Sequence, residues 1–543
     1  MKKFFLLVLL VSIVCFFSVD AQVDTLWVKR FSGPTNSEDV AKIIKVDNYG
    51  FIYVGGVVST VSGYKTYGVI KYTPEGDTLW VRYYNSPFSL GSELYDMAID
   101  NNNNVIVTGS SDGTNYSDCA TVKYDSAGNL LWAKRYDNGD IDQAFALAVD
   151  ESGNICITGT SSKPYESDNY IIIKYNPNGD TLWTYTFAGN EGAMDIARAI
   201  AVDNSGSIIV SGTTDWYWGT IDFVTIKLNP SGDTVWTVQY DSPQNGYDYF
   251  SAMAVDNSNN IYVTGVIYPP NDIITIKYNP YGDTIWTKRY NGPANGDDNV
   301  YAIAVDALGN VYVAGKSYNT GTGFDYLTIK YNASGVQQWV STYTGSGIYV
   351  DYAYSIALDD FGNVFVTGAT ESFNTNFDYA TIKYDSDGNE KWVIKYNGPG
   401  NLYDYANSIC LDNSGYVYVT GSSLGIGTGN DFVTIKYTQS PSDLKENPLN
   451  IPAEFKLFEN YPNPFNPSTK ISWQSPVGSW QTIKVYDVLG NEVTTLIDEY
   501  RTAGKYEVEF YPASSIKHPA SGLYFYQLKA GEFIQTKKMV LIK

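Results

Sequence analysis

Eight tryptophans recur at intervals of 50 to 53 residues: Trp27, Trp80, Trp132, Trp183, Trp236, Trp286, Trp339 and Trp392. A period of this length marks a repeat architecture, in which one supersecondary unit is copied and each copy buries its apolar face on the next. It constrains the fold more than any local motif, because what one unit forms all eight must form. Four positions after every one of these tryptophans stands Phe or Tyr, from Phe31 to Tyr396. In an extended strand both side chains point to the same face.

The rest of the unit is equally regular. An Asp, a turn and a strand ending in Gly recur as "VDNYGFIYVGG" from Val46, "VDNSGSIIVSG" from Val202, "VDALGNVYVAG" from Val305 and "LDNSGYVYVTG" from Leu411. A strand such as "ARAIAVD", ending at Asp203, precedes the turn, and one such as "DFVTIKL" from Asp222 leads to the tryptophan strand. Three residues after the repeat Asp stands Gly in six copies and Asn103 or Asn259 in the others. Four residues before the last seven tryptophans stand Gly76, Gly128, Gly179, Gly232, Gly282, Gly335 and Gly388. These residue types tolerate the left-handed backbone of a tight hairpin. Two residues before the repeat Asp are Ala98, Ala148, Ala201, Ala254, Ala304, Ala357 and Cys410, with Lys45 the exception, alternating with large apolar residues. That alternation predicts an innermost strand buried on both faces.

The expected fold is all-β: an eight-bladed β-propeller of four-stranded antiparallel blades, with seven blades as the alternative count. The chain enters on a tryptophan strand, "DTLWVKRF", and the array leaves on "DFVTIKY" without one. The N-terminal strand is therefore expected to complete the last blade and close the ring, removing exposed edges. The patterns "VDxxGNVYVTG" and "DYxTIKY" resemble the SBBP family of bacterial β-propeller repeats over roughly residues 24 to 437. The family name implies seven blades, and such a family implies no single activity.

The two ends carry addresses. Lys2 and Lys3 precede an apolar run from Phe4 to Val19, and Val19-Asp20-Ala21 supplies a cleavage site after Ala21. Residues 1–21 read as a secretory signal peptide, with no membrane span after its removal. The propeller is expected over 22–438, a polar Pro-containing linker over 439–455, and a small immunoglobulin-like β-sandwich over 456–543. In that tail "NYPNPFNPSTKI" from Asn460, "VYDVLGNEV" from Val485, "SGLYFYQLKAG" from Ser521 and the final "KKMVLIK" resemble the type A sorting domain of the type IX secretion system. The resemblance places the sorting signal on Tyr461, Pro462, Asn463, Pro464, Phe465, Asn466, Pro467, Gly490, Gly522, Lys537 and Lys538. It implies passage through the periplasm, recognition by the type IX machinery, and release or attachment at the outer cell surface.

Composition removes much chemistry. The only histidine is His518, so the repeats hold neither a Ser-His-Asp triad nor a histidine metal site. After processing Cys119, Cys156 and Cys410 remain, far apart in apolar runs, which argues against disulfides or zinc. The 58 Asp and Glu against 36 Lys and Arg give a net charge of −22, which repels nucleic acid. Eight residues before the repeat Asp lies a second acid, Asp39, Asp142, Asp195, Asp248, Asp298, Asp351 or Asp404, with Ser92 in the odd copy. A third opens the following "TIKY" strand at Asp118, Asp222, Asp272, Asp325, Asp378 and Asp431. Residues present in almost every copy are read as structural, bonding loop amides; the sharper alternative is Ca²⁺ ligation by the second acids, and no other cofactor is expected.

Long loops rich in Tyr, Asn, Ser and Gly, such as "SSKPYESDN" and "SYNTGTGF", fall on one face of the array and suit recognition. One of them, "TTDWYWGTIDF" from Thr213, breaks the period with Asp215, Trp216, Tyr217 and Trp218, a candidate glycan or protein contact that could equally pack on a neighbouring blade. The protein is expected to be a secreted or cell-surface binding or adhesion module and not an enzyme. The alternatives are a structural surface protein without a specific ligand and a secreted carbohydrate-active hydrolase or lyase.

Overall fold

Each copy of the repeat folds as a four-stranded antiparallel meander, because two tight turns and one longer loop divide it into four strands of 7 to 10 residues. The computed structural model describes residues 23–439 and 455–542, apart from 89, 114–115, 190–191, 216–219, 244–245, 347–349, 477–478, 502–503, 513–520 and 532. Ala21, Trp216, Tyr217, Trp218 and His518 lie outside the described residues. Every named element is a strand. We number the sheets in chain order: sheet 1 (40–84), sheet 2 (92–136), sheet 3 (142–187), sheet 4 (195–240), sheet 5 (247–290), sheet 6 (298–343), sheet 7 (351–396) and sheet 8 (404–439).

The eighth copy supplies only three strands, and the fourth comes from the other end of the chain. Val23–Phe31 pairs antiparallel with Asn430–Gln439, in a register running from Val23 opposite Gln439 to Phe31 opposite Phe432. The first strand of each sheet lies on the first strand of the next, and Asp404–Leu411 of sheet 8 lies on Val40–Val46 of sheet 1. Asn407 Nδ2 of sheet 8 donates to Ala41 O of sheet 1 at 2.8 Å.

The turn residues take the conformations that their chemistry allows. All seven glycines preceding a tryptophan strand have φ between +77° and +93°, and Asn103 and Asn259 have φ of 58° and 62°. A second constraint acts on the same glycines. A Cβ on any of them would stand 2.6 to 2.9 Å from the tryptophan ring of the preceding sheet, Trp27 for Gly76 through Trp339 for Gly388. Each of those seven indoles also donates its N–H to a carbonyl of that hairpin at 3.0 to 3.2 Å, from Trp27 to Pro74 O through Trp339 to Ser386 O. The tryptophan is thus an inter-sheet latch, and the hairpin glycine is the slot it fills. Trp392 has no such hairpin opposite it, because the fourth strand of sheet 8 arrives from the N-terminus. Its buried indole N–H has no partner among the described residues.

Burial differs from expectation at the innermost strand. The second and third strands are buried almost end to end, whereas the small residues Ala98, Ala148, Ala201, Ala254, Ala304, Ala357 and Cys410 are only half-buried. Small side chains let neighbouring first strands approach one another closely. Cys119 and Cys156 are buried as free thiols, and burial raises both pKa values.

Residues 456–541 form two antiparallel sheets. One holds Lys456–Leu457, Thr469–Ser475 and Gly504–Phe510; the other orders Glu492–Arg501, Ser479–Tyr486, Gly522–Ala530 and Phe533–Leu541. Leu457, Ile471, Trp473 and Phe510 from the first pack with Ile483, Val485, Tyr526, Leu528 and Met539 from the second in one core.

Candidate functional site

The second acids stand at the entry to the first strands, and Asp39, Asp142, Asp195, Asp248, Asp298, Asp351 and Asp404 are all buried. Each accepts a backbone N–H from the loop that leads into its sheet: Gly33, Asn138, Gly189, Ser242, Gly292, Gly345 and Gly398 respectively, at 2.6 to 2.7 Å. A carboxylate that accepts such a bond satisfies a loop donor water would otherwise have to reach. Burial, opposed by these bonds, raises their pKa values, in Asp142 and Asp248 to about 6. The seven acids are spread over seven sheets. Among the described residues two of them sit in groups of three acids: Asp142 gathers with Asp118 and Asp137, and Asp248 with Asp222 and Asp241.

Asp215 ends the second strand of sheet 4, paired with Ile221, and its N–H donates to Met194 O at 3.0 Å. The tryptophans that follow it are outside the described residues.

A different aromatic group lies at the same end of the sheets. One and three residues after the entry position, sheets 5 to 8 carry Tyr249, Tyr301, Tyr352, Tyr354 and Tyr405, sheets 2 and 3 carry Tyr95 and Phe145, and sheets 1 and 4 carry Val40, Lys42, Ile196 and Arg198. Tyr352 and Tyr354 stack at 5.4 Å and 10° between ring planes, and Tyr301 of sheet 6 lies 5.5 Å from Tyr354 of sheet 7. Phe377 joins sheet 7 to sheet 8, 5.9 Å from Tyr352 and 5.2 Å from Tyr405, and Tyr403 stacks on Tyr405 at 6.4 Å. The Lys316 ammonium sits 4.6 Å above Tyr352. On sheet 5, Tyr247 stacks with Tyr249 and Tyr268, each at 6.3 Å, and all three are more than 40% exposed. A cleft of about 420 Å³ opens between Tyr249 and Tyr301, lined also by Ser251, Asn271 and Asn299. A second, of about 640 Å³, opens at the same end of sheet 1 beside Val61, Tyr64 and Tyr83.

This belt escaped the reading of the sequence, because each tyrosine alone fits strand alternation. The signal is visible only when the copies are overlaid: "DYF", "DNVY", "DYAY" and "DYAN" in sheets 5 to 8 against "DVAK" in sheet 1 and "DIAR" in sheet 4, with "SELY" and "DQAF" between them in sheets 2 and 3. Tyrosine offers a broad flat face with a polar tip and little conformational entropy to lose. Sheets 2 and 3 carry single aromatics at the same place, Tyr95 and Phe145, in contact at 5.1 Å, so what sets sheets 5 to 8 apart is their density of tyrosine.

In the tail, the first of the motifs read as the sorting signal meets the last strand. Asn463 Oδ1 accepts from Val540 N at 3.0 Å, and Phe465, nearly fully buried, exchanges backbone bonds with Val540 and Ile542 at 2.9 and 3.1 Å. The first motif therefore lies along the last strand, where Lys537 pairs with Glu459 at 2.6 Å. Gly490 takes φ +83° in the turn at Asp487–Asn491, and Gly522 opens the strand Gly522–Ala530. Tyr461 is 80% exposed.

Comparison with known proteins agrees with both parts. Residues 285–321 and 338–377 match the β-propeller repeat family SBBP, and residues 459–543 match the secretion system C-terminal sorting domain. An uncharacterized WD repeat-containing protein of Acanthamoeba polyphaga mimivirus is 29% identical over 227 residues, 34% of this chain and 16% of that protein. The regulatory protein FlaEY of Caulobacter vibrioides is 27% identical over 157 residues, 26% of this chain and 14% of that protein. The chain thus spans under a fifth of the length of either relative. Among solved structures, Sqt1 from Chaetomium thermophilum matches with a TM-score of 0.42 and 10% identity over 70% of this chain and 93% of that one. The polysaccharide lyase Uly1 matches with a TM-score of 0.40 and 12% identity over 73% and 89%. Likeness at this level carries no functional weight. The chain joins SBBP β-propeller repeats to a type IX C-terminal sorting domain, which marks it for export to the cell surface or the extracellular space.

Proposed function

We propose that this is a secreted or surface-displayed β-propeller that binds a carbohydrate through the tyrosine belt of sheets 5 to 8, with no catalytic chemistry of its own. The belt carries the reading. Its rings lie at the end where the long loops emerge, and stacked tyrosines beside Asn271, Asn299 and Lys316 combine flat apolar faces with hydrogen-bond donors. That pairing suits a sugar ring, which has an apolar face and a polar rim. The nearby acids Asp248, Asp298, Asp351 and Asp404 are each bonded to a loop N–H, which favours binding over hydrolysis.

The finer architecture we infer is a closed ring of eight blades. Pairing of Val23–Phe31 with Asn430–Gln439 and the contact of sheet 8 on sheet 1 support closure, because together they leave no copy without a neighbour on either side. The sorting domain brings the chain to the type IX machinery, and the propeller is the cargo.

The test is a glycan array probed with the mature chain, run beside a hydrolase and lyase panel. Retention of a glycan without turnover is expected. Release of product would overturn the non-catalytic reading, and capture of a protein ligand with no glycan bound would overturn the carbohydrate reading.

A further inference from the structure

We propose that Asp222, Asp241 and Asp248 form a calcium site at the junction of sheets 4 and 5. The three come from three places in the chain. Asp222 lies at the start of the third strand of sheet 4, Asp241 directly follows its fourth strand, and Asp248 lies at the start of sheet 5. Each places a carboxylate oxygen within 4.8 Å of the other two. Calcium binds six to eight oxygens at 2.3–2.6 Å, so two oxygens on one ion stand no more than about 5 Å apart.

Two further observations point to a cation. The first is charge. In three of the sister sheets an arginine of the fourth strand sits on the acid that opens the third, Arg30 on Asp431 at 2.8 Å, Arg135 on Asp118 and Arg289 on Asp272, while sheet 6 has Thr342 and sheet 7 Lys395 at that position. In sheet 4 that position is Gln239, a neutral amide that donates to Asp222 Oδ2 at 2.7 Å. Among the described residues, no Lys or Arg forms an ion pair with Asp222, Asp241 or Asp248. The second is an incomplete hydrogen-bond inventory. Asp222 is 2% and Asp248 0% exposed, and in each the Oδ1 atom is buried without a hydrogen-bond partner, as it is in Asp142, Asp272, Asp298 and Asp404, so the missing positive charge is what sets this junction apart. A buried carboxylate oxygen left unpaired is costly, and a cation satisfies it directly. Asp241 is exposed, which leaves the ion a path from solvent and room for water ligands.

The chain contains its own control. Asp118, Asp137 and Asp142 gather in the same way between sheets 2 and 3, but Arg135 already supplies a positive charge to Asp118. One junction draws a positive charge from the protein, and its counterpart at sheet 4 takes it from solution. Calcium suits the second better than magnesium, because a set built from one exposed and two buried carboxylates need not meet a strict octahedron.

The experiment is calorimetric titration of the EDTA-treated mature chain with Ca²⁺ at neutral pH and physiological salt, with melting temperature followed in parallel. One saturable equivalent is expected, with a Kd at or below about 1 mM, the range of extracellular calcium modules, and a Ca²⁺-dependent rise in melting temperature. Asp241→Asn, an exposed change that leaves the loop clamp of Asp248 in place, should weaken binding at least tenfold and abolish the rise. Asp137→Asn should leave both unchanged. Absence of saturable binding at millimolar Ca²⁺, full binding by Asp241→Asn, or loss of binding in Asp137→Asn would each overturn the assignment.

Discussion

Replacing Trp286 and Trp392 by phenylalanine separates the hydrogen bond of the inter-sheet latch from its packing. Both indoles are nearly buried, 8% and 6% exposed. Both meet an aromatic ring of their own sheet at the same range, Tyr262 at 6.1 Å and Phe365 at 6.0 Å. Shrinking either ring therefore removes similar contact area. They differ at the nitrogen: Trp286 Nε1 donates to Ala333 O at 3.2 Å, whereas Trp392 Nε1 is buried with no partner among the described residues. A net hydrogen bond contributes about 0.5–1.5 kcal/mol, and an unsatisfied buried donor costs about 1–3 kcal/mol. Trp286→Phe adds the lost bond to the packing penalty, while Trp392→Phe subtracts the relief of an orphaned donor. The Ala333 carbonyl keeps Lys277 Nζ at 3.3 Å, so it adds no large penalty of its own. Trp286→Phe should thus be the more destabilising by about 2 kcal/mol. Urea denaturation of the mature chain, followed by circular dichroism so that the removed chromophore does not bias the signal, reads the difference. Equal costs, or a larger cost at Trp392, would refute the latch.

Three other outcomes follow from the same geometry. Gly282→Ala puts a methyl at φ +89° and 2.9 Å from Trp236, so it should cost at least the ~1–2 kcal/mol of a left-handed alanine, read as a lower urea midpoint. Burial lifts the Asp142 and Asp248 carboxyls to about 6, above the ~3.9 of an unfolded chain. The folded state then holds those protons more tightly. The associated stability is present below about pH 4 and is lost as pH rises through 6, roughly 1 kcal/mol per group after allowance for partial solvation. Calorimetry in EDTA should therefore show the melting temperature falling between pH 4.5 and 7, and a rise over that window would contradict it. A chain ending before residue 456 should accumulate in the periplasm in cell fractionation, and its normal export would contradict the role of the tail.

The repeat was legible because its punctuation is local. The hairpin glycines, the repeat Asp and the tryptophan period each act within a few residues, and the lone first strand and the three-stranded last copy are complementary in the sequence itself. What could not be read depends on neighbours distant in sequence. Alternation of Ala with Val or Ile predicted a first strand buried on both faces, but it cannot say that these alanines stay half-buried where neighbouring first strands meet. Asp222 and Asp248 belong to adjacent sheets, and nothing in either segment says that their oxygens share a site with Asp241. The tyrosines of sheets 5 to 8 read singly as strand residues and become a belt only when Tyr301, Tyr354, Phe377 and Tyr405 are brought edge to edge. The off-period loop at Trp216–Trp218 lies outside the described residues, and the proposed site rests instead on the belt of sheets 5 to 8.

The central claim is that this belt holds the ligand, and titration of an array-identified glycan onto three forms of the mature chain tests it most directly. The forms are the unaltered chain, the double variant Tyr352→Ser with Tyr405→Ser, and a control double variant at the opposite end of the sheets, Leu308→Ser with Phe361→Ser, both exposed turn residues. Loss of binding in the belt variant alone, with its melting temperature within a few degrees of the parent, is the predicted result. Undiminished binding by the belt variant, or equal loss in both, would contradict it.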